Sequence, residues 1–79
     1  METYDEQILS INKRLTALGL DYKNVADWLE LTRPGAWLKV NGERQFTYDE
    51  LRTVLNQLTV EETVRQVIRN ADDTVLAGE

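Results

Sequence analysis

The segment Leu15–Leu58, LTALGLDYKNVADWLELTRPGAWLKVNGERQFTYDELRTVLNQL, decides how the rest of the chain is read. Its apolar residues recur at spacings of three and four, the period of helices with one buried face. Short connections interrupt the pattern at Gly19-Leu20-Asp21, before Thr32 and at Asn41-Gly42. Gly19 and Gly42 stand where the residue past a helix end commonly takes a positive φ. Asp21 and Thr32 are side chains that accept from the free amides of a helix start, and Pro34 is tolerated in a first turn. The spacing therefore predicts one helix from Tyr22 to about Leu29, with Val25, Ala26 and Leu29 inward. It predicts another from the Thr32 cap to near Val40, with Ala36 and Val40 inward. Trp37 and Leu38 lie about 100° and 200° around from Ala36, on the outward face.

Working outward, Tyr4–Leu18 reads as a first helix with Ile8, Ile11, Leu15 and Leu18 on one side. Tyr48–Leu58 reads as a fourth, with Leu51, Val54, Leu55 and Leu58 inward, and Val60 to about Asn70 as a fifth, presenting Val60, Val64, Val67 and Ile68. The starts have a common form: Thr3-Tyr4-Asp5-Glu6, Thr47-Tyr48-Asp49-Glu50 and Thr59-Val60-Glu61-Glu62. In such a capping box the Thr hydroxyl accepts from the amide three residues on while the Glu reaches back, and the acidic residues suit the positive end of the helix dipole. No segment alternates with period two for long enough to make a strand. The fold class expected is all-α, five short helices in one domain over 1–79, with a flexible tail over 71–79.

Composition narrows the chemistry. The 79 residues contain no cysteine and no histidine, which removes disulfides, thiolate metal sites and the commonest general base and metal ligand. No metal or other cofactor is expected. No apolar run approaches the roughly 20 residues of a membrane span, and METYDEQ lacks the basic start of a signal peptide, so no membrane partner and a cytoplasmic location are expected. The net charge of −5 is uneven: the ends are acidic, whereas Ser10–Arg52 holds seven basic and six acidic residues. That balance disfavours strong nonspecific nucleic-acid affinity but leaves room for a local basic stripe.

The order of features from Leu15 to Leu58 resembles the helix-turn-helix of phage Cro and repressor proteins and the wider xenobiotic-response-element family. Leu18-Gly19-Leu20-Asp21 resembles that family's first turn, and Val25-Ala26 its apolar-Ala pair. Ala36 and Val40 match the positions that seat its recognition helix, Asn41-Gly42 its Asn-Gly stop, and Phe46 with Leu51 the apolar pair that follows. The resemblance covers about 45 of the 79 residues and implies a lambda-repressor-like domain with the helix-turn-helix proper at about 21–42. It implies a sequence-specific transcription regulator of a bacterial or phage-infected cell, bound to double-stranded DNA as a homodimer. Carried over by position, Arg33, Pro34, Trp37 and Leu38 would face the bases, and Tyr22, Lys23, Lys39, Asn41 and Arg44 the phosphates. With no room expected for a separate oligomerisation domain, the dimer would use Val67, Ile68, Val75 and Leu76.

Three residues depart from the family pattern. Glu30 stands where Gly is common, so the turn needs a non-glycine residue at positive φ or a different path. Trp37 and Leu38 replace polar readers; they suit thymine methyls, but an exposed Trp-Leu pair also suits a protein partner. The alternative function is thus a helix-turn-helix reused for protein binding, as in an antirepressor or an inhibitor of a host defence or transcription complex. Trp28, at a position on the second helix expected to face solvent, either adds to that apolar surface or packs against helix one or five, and packing is the favoured expectation. No acid-base or nucleophile arrangement is recognisable, and an enzyme is not expected.

Overall fold

Four helix starts follow from four capping side chains. In a computed structural model describing the backbone of residues 3–77 and the side chains of residues 3–69, α1 is Tyr4–Ala17, α2 Tyr22–Leu29, α3 Arg33–Val40 and α4 Tyr48–Ala77. The Thr3 hydroxyl accepts from the Glu6 amide at 3.2 Å while Glu6 accepts from the Thr3 amide. Thr47 and Glu50 repeat the arrangement at 3.1 and 2.9 Å. Asp21 accepts from the Lys23 amide at 2.9 Å, and Thr32 from the Gly35 amide at 3.2 Å. The protein is all-α, with no strand among the described residues.

The expected break at Thr59 is absent, so there are four helices and not five. No glycine or proline lies between Tyr48 and Ala77, and nothing in that stretch forces the chain out of helical dihedrals. Thr59 sits inside the helix and donates its hydroxyl proton to the Leu55 carbonyl one turn back, at 3.0 Å. Glu62, the would-be capping partner, is held instead by Arg14 of α1, with Nε–Oε2 at 2.9 Å and Nη2–Oε1 at 2.6 Å. α4 continues to Ala77, into the segment 71–79 read as a tail.

Three helices end on a left-handed residue: Gly19 at φ 72°, Glu30 at 56° and Gly42 at 80°. In each case the amide of the next residue bonds back to a carbonyl five positions earlier: Leu20 to Leu15, Leu31 to Ala26 and Glu43 to Leu38, at 2.8–2.9 Å. That closure satisfies carbonyls left free at a helix end. Glu30 makes the turn without glycine, and a left-handed L-residue costs about 1–2 kcal/mol.

The core is formed by Ile8, Ile11, Leu15 and Leu18 near and after α1, Val25 and Ala26 of α2, Ala36 and Val40 of α3, Phe46 of the connection, and Val54 and Leu58 of α4. Tyr4, Leu20, Tyr22, Trp28, Leu29 and Leu51 pack partly buried around it, so Trp28 packs onto the core. Leu55, expected inward, is exposed. The fifth inner face is also corrected: Val60, Val64, Val67 and Ile68 are 48–60% exposed. A continuous helix of 30 residues is about 45 Å long, in a molecule 51 Å by 30 Å by 19 Å. Past the last core position, Leu58, α1 meets α4 through polar contacts at Glu62 and Arg65.

Candidate functional site

α3 is seated by two small contacts and one ion pair. Ala36 is fully buried and Val40 nearly so, and the Val40 carbonyl accepts from Asn12 Nδ2 of α1 at 2.8 Å. Lys39 is only 8% exposed and its ammonium pairs with the Glu50 carboxylate at the start of α4. Burial tends to raise the Glu50 pKa. The Lys39 hydrogen bond, the Thr47 amide, the Lys39 charge and the Thr47 hydroxyl outweigh it, and the carboxyl titrates below its ordinary value. The same Glu50 therefore closes the cap of α4 and anchors α3.

With one side of α3 so fixed, the other is free. Arg33, Pro34, Trp37 and Leu38 line one shallow concavity together with Tyr22 from the first turn of α2. All four residues expected to face bases thus lie together, joined by one of those expected at phosphate. Trp37 is 44% exposed, Arg33 and Pro34 are exposed, and Leu38 and Tyr22 are half-buried. The lining is mainly apolar: two aromatic rings, a proline and a leucine, with one guanidinium. Lys23 holds its ammonium 6.0 Å from the centre of the Tyr22 ring, at the outer edge of cation–π range.

The remaining expected phosphate contacts divide. Lys23 and Arg44 are exposed, with no ion pair among the described residues. Asn41 is exposed but donates from Nδ2 to the Trp37 carbonyl at 2.8 Å, so its amide side chain helps to close α3. Lys39 does not fit a phosphate role in this conformation, because its charge is buried and neutralised by Glu50. The reason was legible in the spacing: Lys39 is three residues from Ala36, and residues three and four apart share a helix face. The phosphate position implied by the family resemblance runs against that periodicity.

Of the expected dimer contacts, Val67 and Ile68 are exposed, whereas the side chains of Val75 and Leu76 lie outside the described residues. Among the described residues no cluster of acidic side chains is arranged to hold a metal ion, and no helix is long and apolar enough to cross a membrane. Comparisons with known proteins add no relative: no protein family, no curated protein and no solved structure matches the chain.

Proposed function

We propose that this protein is a sequence-specific DNA-binding regulator of transcription, of the Cro and repressor kind, that reads the major groove with α3. The observation that carries the proposal is the clustering of Arg33, Pro34, Trp37 and Leu38 on the free side of a helix whose other side is locked to the core. Two eight-residue helices, α2 and α3, pack together across a connection of three residues, the layout that a helix-turn-helix needs to present its second helix to a groove. Arg33 is the base reader, because its planar fork bonds guanine O6 and N7 together. Lys23 and Arg44 position the domain on phosphates. The protein acts in the cytoplasm of a bacterial or phage-infected cell, as a homodimer joined through the apolar side of α4 that includes Val67 and Ile68.

The test is a selection of duplexes from a random library, followed by affinity measurements over a salt series. Binding should weaken with salt, each phosphate contact adding about 0.9 to the logarithmic slope. Arg33→Ala should cost about 1–3 kcal/mol and relax one base position, and Arg44→Ala should lower affinity for all sequences and flatten the slope. Trp37 fluorescence should change when the selected duplex is added. Failure to enrich any duplex would reject the proposal.

A second reading, protein binding through Trp37 and Leu38, is favoured by the apolar lining of the concavity and by the withdrawal of Lys39 from the surface. In that case the double substitution Trp37→Ser, Leu38→Ser leaves the fold intact and abolishes capture of a stoichiometric protein partner.

A further inference from the structure

We infer that the concavity formed by Tyr22, Pro34, Trp37 and Leu38 is a receptor for the 5-methyl group of thymine, so that this protein reads a thymine beside the base contacted by Arg33. The inference rests on the DNA-binding reading and names what that reading leaves open: which base edge an apolar helix face can recognise.

A reading helix of ordinary type discriminates bases with amides, hydroxyls and charges, since three of the four bases offer only hydrogen-bonding groups in the major groove. Thymine alone adds a methyl group there. The outward side of α3 has one strong donor, Arg33, and beside it the Pro34 ring, the Trp37 indole, the Leu38 side chain and the Tyr22 ring around one depression. Placing a hydrogen-bonding base edge against the apolar part of that lining, away from the Arg33 guanidinium and the Tyr22 hydroxyl, would strip it of water without a partner, which is costly. A methyl group loses nothing by the same transfer and removes apolar surface from water on both sides.

Register supports a pairing of the two contacts. Arg33 and Trp37 are one helical turn apart, about 6 Å along the axis, and base pairs stack at about 3.4 Å intervals. A guanine met by Arg33 and a thymine met by the depression therefore fall within about two base pairs of each other. Charge fits the same occupant: Arg33 at the rim and Lys23 beside Tyr22 are both cationic, as a polyanion with an apolar feature in its groove requires.

The experiment takes the duplex selected from the random library and replaces each thymine in turn with deoxyuridine, which removes the 5-methyl group and leaves every hydrogen-bonding group in place. One thymine, within about two base pairs of a guanine sensitive to Arg33→Ala, should show about a fourfold loss of affinity on replacement, the value expected for burial of one methyl group. Putting 5-methylcytosine where an unmethylated cytosine variant binds weakly should recover part of that loss. Leu38→Ala should bind the thymine and uracil duplexes alike, and its melting curve reports whether it folds; the uracil series on the unaltered protein stands without it. A selected duplex bound equally well with every thymine replaced would overturn the inference while leaving DNA binding in place. Enrichment of no duplex would overturn both.

Discussion

The two halves of α4 use the same residue types at the same helical spacing and meet opposite fates. In the first half, Val54 and Leu58 are fully buried; in the second, Val64, Val67 and Ile68 are about half exposed. Burial therefore depends on what stands opposite and not on the periodicity of the helix itself. α1 and α2 pack against α4, with Val54 and Leu58 in one core cluster with Ile11, Leu15 and Val25. The junction is held by polar contacts instead, through Arg14 to Glu62 and through the Arg65 guanidinium, which donates to the Leu18 carbonyl at the end of α1. Val64, Val67 and Ile68 leave an apolar side with no occupant among the described residues, the side proposed above to join two copies of the chain.

The contrast is broken most severely by core truncation. Leu58→Ala should destabilise the domain by about 2–5 kcal/mol, from lost burial and the cavity left behind. That is a large share of the stability of a domain this small, and a thermal melt reads it directly. An unmoved melt would mean that the first half of α4 is no more buried than the second.

The two ion pairs reproduce the contrast at smaller scale. Lys39–Glu50 is largely shielded, with side chains 11% and 19% exposed, whereas Arg14–Glu62 is more open at 29% and 42%. Glu50→Ala would strand a buried ammonium and remove the bond from the Thr47 amide to the Glu50 carboxylate, at a cost of about 1–3 kcal/mol; Glu62→Ala should cost under about 1 kcal/mol, as exposed pairs do. The Arg14 hydrogen bond holds the Glu62 carboxyl below its ordinary value, and Glu50 is lowered as well. A carboxyl lowered by folding contributes stability above its unfolded pKa, near 4.5 for both groups, and loses it as pH falls through the folded value. Melting temperature should accordingly drop on acidification below that point, and Glu50→Gln should start lower at neutral pH and fall less steeply. Parallel curves for the two proteins would remove Glu50 from this account.

A change in the opposite direction is available at Glu30. It holds a left-handed conformation that Gly19 and Gly42 adopt in the equivalent turns, so Glu30→Gly should raise stability by about 0.5–1 kcal/mol, the relief of strain exceeding glycine's extra freedom in the unfolded chain. The smallest effect on the monomer belongs to the second half of α4. Val64→Ser and Val67→Ser should each move dilute-solution stability by less than about 0.5 kcal/mol. Sedimentation at rising concentration should nevertheless show Val67→Ser associating less than the unaltered protein.

Much of this was legible from local chemistry. Thr3, Asp21, Thr32 and Thr47 announce helix starts because a capping side chain acts within four residues of itself, and Gly19 and Gly42 announce stops because a φ near 70–80° excludes few residues as weakly as glycine. Periodicity alone places Ala36, Val40, Val54 and Leu58 inward, and they are buried. The outward grouping of Arg33, Pro34, Trp37 and Leu38 follows from that same register.

What required tertiary structure is of another kind. Whether Thr59 begins a helix or sits inside one depends on whether Glu62 reaches back to it or across to Arg14, 48 residues away in sequence. Whether Lys39 faces solvent or Glu50 depends on how α3 lies over the start of α4, and whether Val64 is core or surface depends on where α1 ends. The sequence by itself determined the caps at Thr3, Asp21, Thr32 and Thr47, the turns at Gly19 and Gly42, and the inward register of Ala36, Val40, Val54 and Leu58, because those are set by interactions within one turn. The partners of those faces were decided only by the packing, because a repeat of three and four residues specifies that a side should be covered without specifying what covers it.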